Sequence, residues 1–110
     1  MPQAREEVAL ITTRVYGTIG LAKVEGRLTF QDYDSFKTKT ELLLEGQGVN
    51  EIDLDLSAAT YMDSNALGML ISLREKAQAK SVSIKLVRPS PSIRAIFEMV
   101  QFEKLFQIVE

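Results

Sequence analysis

The sequence contains neither cysteine nor histidine. Disulfides, thiolate nucleophiles, imidazole acid–base chemistry and zinc sites built on those residues are therefore excluded. What remains is hydroxyl, carboxylate, amide and lysine chemistry. A basic block is missing too: 13 Lys and Arg are interspersed among 15 Asp and Glu, for a formal charge of −2. Nothing offers a phosphate backbone the charge it requires, so nucleic acid is not an expected partner. No apolar run reaches the length of a membrane span, and MPQAREEVALITT places acids before its apolar run without a basic leader or a small-residue cleavage site. The expectation is a cytoplasmic protein without direct membrane insertion. Low-complexity stretches, internal repeats and linkers are also absent. With 110 residues, 45% of them hydrophobic, the chain is expected to form one domain over 1–110 around a single core.

Two β-rich runs, Val8 to Val15 and Thr18 to Val24, flank a turn at Tyr16-Gly17 and predict a hairpin, with Glu25-Gly26 breaking its second strand. Thr29 followed by Asp32 has the spacing of a capping box, and a helix is predicted from about Phe30 to Glu45. Tyr33, Phe36, Thr40, Leu43 and Leu44 form its apolar stripe, Asp32 faces water, and Gly46 and Gly48 supply left-handed conformations at its end. Val49 to Leu56 alternates Ile52, Leu54 and Leu56 with Asp53 and Asp55, which predicts a strand with helices on one face and solvent on the other. A second helix is predicted from Ser64 to about Lys80, with Ala66, Leu70, Leu73 and Ala77 inward. Arg74, Glu75 and Lys76 face solvent, and Met62, Met69 and Met99 are expected as core or near-core fillers. A strand at Ser81 to Val87, a third helix announced by Ser90-Pro91, and a final strand at Leu105 to Val109 complete the order. The expected fold is α/β: a mixed sheet of four to five strands with an N-terminal hairpin and helices mainly on one face.

The stretch Glu51 to Leu73 carries the functional signal. A strand feeding a helix that opens at Asp63-Ser64 places one hydroxyl beside unpaired N–H groups and the positive end of a helix dipole, where negative charge is favoured. On the outer side of that helix, Ser64, Gly68, Ile71, Ser72 and Glu75 fall together. A mid-helix glycine costs about 1 kcal/mol relative to alanine, so Gly68 is tolerated more easily if something must approach the backbone closely, a docked partner being one candidate. Asp53, Asp55 and Asp63 do not read as a magnesium site, because no further ligands accompany them. No nucleophile has a base and an orienting group within sequence reach, so no enzyme, catalytic residue, metal or cofactor is expected.

Met62-Asp63-Ser64-Asn65-Ala66-Leu67-Gly68 resembles the phosphorylation motif of bacterial anti-sigma factor antagonists, members of the STAS domain family, in which Asp-Ser is followed by Ser or Thr and then Gly-Leu-Gly. Val24 to Leu28, Ile52 to Leu56, Ser90-Pro91 through Met99, and Phe102 to Phe106 are similar to other segments of the family, so the resemblance covers nearly the whole chain. It implies a phosphoacceptor at Ser64 and a partner surface of Thr29, Met62, Asp63, Ser64, Asn65, Gly68, Ile71 and Ser72. The implied partner is an anti-sigma factor that is itself a serine kinase, bound by the unmodified form so that a sigma factor is freed. A serine phosphatase is the candidate for reversal, and self-association is left open. Asn65 stands in place of the second hydroxyl, Ala66 in place of the glycine, and Thr29 where many members carry an acid. These departures feed an alternative the family also implies, a structural subunit bracing an ABC-type transporter without serine phosphorylation.

Overall fold

The computed structural model describes residues 8–46 and 48–110. The expectation that the first residues carry no basic leader falls outside that range up to position 7. Strands β1 (Leu10–Tyr16) and β2 (Ile19–Leu28) form the expected hairpin. Gly17 has φ +60° and Thr18 is not in the left-handed region, the arrangement of a type II′ turn, which requires glycine at its first central position. Strand β2 does not stop at Gly26. It continues to Leu28 through two register shifts, and Gly26 takes φ +87° at one of them.

A single 3₁₀ turn, Phe30–Asp32, precedes helix α1 (Tyr33–Glu45), so the predicted helix begins one turn late. Phe36, Thr40, Leu43 and Leu44 are buried as expected, whereas Tyr33 is 49% exposed. Of the two glycines at its end only Gly48 is left-handed, at φ +82°; Gly46 has φ −64°. Asp32 does not face water. It is 2% exposed and accepts hydrogen bonds from the backbone N–H of Ala9 and of Thr29, each at 2.9 Å.

Strand β3 (Glu51–Met62), helix α2 (Ser64–Ala79), strand β4 (Ser83–Val87), helix α3 (Pro91–Met99) and strand β5 (Gln107–Val109) follow. Spatial order equals chain order, with β1 and β2 antiparallel and every later neighbour parallel, as helix crossovers impose. Ile11, Ala22, Val24, Ile52, Leu54, Leu56 and Leu86 line one sheet face at no more than 1% exposure, and Phe36, Leu70, Leu73, Ile93 and Phe97 pack in the same core. Ser90 caps α3 by accepting from Ile93 N, and Pro91 occupies its first position. Behind it Phe102 stacks between Phe97 and Phe106, with centroids 5.1 Å apart in each pair. Met99 is not a core filler: at the last position of α3 it is 81% exposed. Arg74 and Lys76 are not merely solvating either, because Arg74 Nε donates to Leu105 O and Lys76 pairs with Glu41 at 2.7 Å.

The opposite sheet face departs from the expected solvent face. Asp55 is 5% exposed, accepts from the backbone and hydroxyl of Ser57, and pairs with Arg88 at 2.7 Å; together they hold its carboxyl below its usual range although burial acts against them. Asp53 is half-buried between Glu51 and Lys85. Its Oδ1 is shut off from solvent with no hydrogen-bond partner among the described residues. Burial, together with the bond to Glu51 and the charge of that carboxylate, pushes Asp53 up from 3.8 to about 6. Hydrogen bonding to Asp53 in turn holds Glu51 low. Between those two values the folded state keeps a proton that the unfolded chain has lost, so stability falls as pH rises through this window. Asp53→Asn is expected to raise the unfolding free energy at pH 7 by about 1–2 kcal/mol and to change it little at pH 4. Urea unfolding at the two pH values measures this, and a variant less stable than the parent at pH 7 contradicts it.

Candidate functional site

The apolar alternation predicts a strand only as far as Leu56, but SAATYM continues β3 to Met62 by pairing with β2. One residue, Asp63, therefore separates β3 from α2. Its backbone N donates to Leu28 O at 3.3 Å. Its Oδ1 accepts from Ala66 N at 2.8 Å as the helix cap, and its Oδ2 accepts from Phe30 N at 3.2 Å. A single carboxylate thus ties the start of α2 to the turn that follows β2. Ser64, the first helical residue, is exposed, and its hydroxyl has no partner among the described residues. It lies where the helix dipole favours negative charge, on a junction held from three sides.

Beside Ser64 runs a groove of about 320 Å³ lined by Phe30, Tyr33, Asn65, Gly68, Met69 and Ser72. Phe30 is 63% exposed and Tyr33 49%, so two aromatic rings stand open to solvent across from the outer face of α2. A Cβ built on Gly68 meets nothing within 4 Å, so packing inside the chain does not require glycine there. Aromatic rings and a bare helix backbone flanking a free hydroxyl make a surface suited to another protein, and the rings are of the kind that anchors interfaces.

A family model of the STAS domain matches residues 11–110. The chain belongs to the STAS domain family. This STAS domain is 36% identical over 86 residues to the STAS-domain containing protein PA14_20770 of Pseudomonas aeruginosa, an alignment covering 78% of this chain and 83% of that one. Its fold is that of the anti-sigma factor antagonist SpoIIAA in its unphosphorylated form, with a TM-score of 0.72 at 19% identity over 92% of this chain and 88% of the other. The phosphorylated form of Bacillus SpoIIAA superposes with a TM-score of 0.70 at 17% identity, covering 92% of each chain. An anti-sigma factor antagonist from Mycobacterium paratuberculosis matches with a TM-score of 0.80 at 16% identity, over 92% of this chain and 85% of that one.

Within this STAS domain the residues expected at the partner surface separate into three groups. Ser64, Asn65, Gly68 and Ser72 are exposed along one side of α2, and Asp63 is half-buried beneath them. Ile71 is half-buried against the core, and Thr29 is half-buried with its Oγ1 sealed and unpaired among the described residues. Met62 is a correction: at 3% exposure it belongs to the core and cannot touch a docked protein, because the strand's alternation turns it inward just before the junction. Phe30 and Tyr33 were missed. Their signal was an aromatic residue immediately after a helix cap and another three residues on: Phe30 lies in the 3₁₀ turn and Tyr33 is the first residue of α1, and both stay exposed.

Proposed function

We propose that this STAS domain is a non-enzymatic, phosphorylation-controlled binding module: an anti-sigma factor antagonist whose unmodified Ser64 surface binds an anti-sigma factor with serine kinase activity and so frees a sigma factor. The observation that carries this reading is the free, exposed hydroxyl of Ser64 at the start of α2, beside a groove framed by Phe30 and Tyr33. Phosphate there adds about −1.5 to −2 charges and three acceptor oxygens next to Asp63, which repels and desolvates badly under a docked partner without any change of fold. The similarity in fold to both an unphosphorylated and a phosphorylated antagonist supports the same reading. Incubation with the cognate kinase and ATP, followed by mass spectrometric mapping, is expected to place phosphate on Ser64 and none on a Ser64→Ala variant. Phosphate elsewhere, or none, defeats the proposal.

Gly68 provides an independent check on the surface. Alanine there fits the chain without a clash and favours the helix, so Gly68→Ala is expected to stabilise the domain by about 0.5–1 kcal/mol. The same methyl stands on the proposed contact face and is expected to weaken partner binding by about tenfold. Thermal unfolding and calorimetric titration read the two effects, and unchanged affinity would remove α2 from the interface.

A further inference from the structure

Among the described residues strand β1 is an edge of the sheet, with β2 as its one strand neighbour. The two-residue turn makes Tyr16 and Ile19 a hydrogen-bonded pair, so pairing alternates from there along the hairpin. Arg14 and Thr12 consequently bond inward to β2, while Ile11, Thr13 and Val15 aim their backbone groups outward. Lys39 Nζ donates to Ile11 O at 2.7 Å from outside the hairpin, which agrees with that assignment. For Thr13 and Val15 the outward N–H and C=O groups have no partner among the described residues. Lys39 covers the edge at Ile11 only; beyond it no described residue bonds this edge, which has seven residues without proline and carries Leu10, Val15 and Tyr16 at 54 to 58% exposure.

The edge is also complementary to itself. If two copies of LITTRVY pair antiparallel about Thr13, Thr13 lies opposite the partner's Thr13, Arg14 opposite the partner's Thr12, Val15 opposite the partner's Ile11, and Tyr16 opposite the partner's Leu10. Apolar meets apolar on both faces and polar meets polar at the centre, the pattern an isologous two-fold contact demands. A slip of one residue would turn each side chain toward the wrong face of its neighbour. The outward groups of Thr13 bond reciprocally, and those of Val15 bond the partner's Ile11, whose carbonyl retains a second lone pair beside Lys39.

We propose that the protein forms a two-fold homodimer through antiparallel pairing of β1, joining both sheets into one and leaving the Ser64 surface of each copy free. The proposal is independent of phosphorylation at Ser64. Sedimentation equilibrium of the full chain is expected to show a reversible dimer. Thr13→Pro removes an outward N–H that the hairpin does not use, so it is expected to raise the dissociation constant at least about tenfold while far-UV circular dichroism is unchanged. Val15→Lys, also on the surface, is expected to do the same and decides the matter if the proline variant misfolds. The Thr13 pair would have Cα atoms about 5.5 Å apart, within disulfide reach, so Thr13→Cys is expected to yield a covalent dimer on mild oxidation. That result is readable because the chain has no other cysteine. A parent protein that stays monomeric throughout its soluble range overturns the proposal, as does a dimer that folded Thr13→Pro and Val15→Lys leave unchanged.

Discussion

Asp32→Ala is expected to lower the unfolding free energy by about 3 kcal/mol, seen as a fall of about 10–25 °C in the midpoint of thermal unfolding. The reason lies in two backbone donors whose acceptor is Asp32. Ala9 N comes from the residue just before β1 and Thr29 N from the end of β2, and both converge on the one buried carboxylate. Each charge-assisted bond is worth about 1.5–3 kcal/mol, and deletion leaves the Ala9 N–H stranded away from water. Asp32→Asn keeps the volume and one acceptor but turns an amide donor toward a donor, so its loss is expected to fall between the parent and the alanine variant. Calorimetry or urea unfolding on the three proteins measures the series. An alanine variant within about 1 kcal/mol of the parent would mean that Asp32 is incidental to the fold.

Ser64→Asp is expected to weaken binding of the proposed anti-sigma factor partner by about a hundredfold, while Ser64→Ala binds as the parent does. A hundredfold corresponds to about 2.7 kcal/mol, well within what charge repulsion and desolvation produce at the centre of an interface. Stability is expected to move in neither variant by more than about 0.5 kcal/mol, because Ser64 is exposed and an acid at a helix start is favourable. A pull-down with the three proteins, backed by thermal melts, separates lost recognition from lost structure. Equal recovery of the partner by all three would refute the switch.

The elements legible in the sequence were those with local causes. Ser90 and Pro91 announce α3 because a cap and a preset φ act on their own helix, and the glycine at the hairpin is demanded by two neighbouring dihedrals. The misses have causes distant along the chain. The end of β3 is set by pairing with β2 through two register shifts, which the small and polar residues of SAATYM do not advertise. Asp32 and Asp55 read as solvent-facing because their partners, Ala9 and Arg88, lie 23 and 33 residues away. At the site, the Asp63 cap and the hydroxyl of Ser64 were readable from helix-start chemistry. The second bond of Asp63, from Phe30 N, was not, and it ties the turn that carries the open aromatic rings to the residue beside Ser64.

The one-residue junction between β3 and α2 also bears on how a kinase would have to work. Asp63 is bonded through its backbone and both carboxylate oxygens, and the chain on either side is already committed to a sheet and a helix, so there is no slack from which Ser64 could be drawn out as an extended strand. An enzyme that recognises linear sequence by threading a flexible peptide through its cleft would find nothing to thread. Phosphorylation at this position therefore requires an enzyme that reads a folded surface, and a synthetic peptide spanning the motif would be a poor substrate however faithfully it copied the sequence.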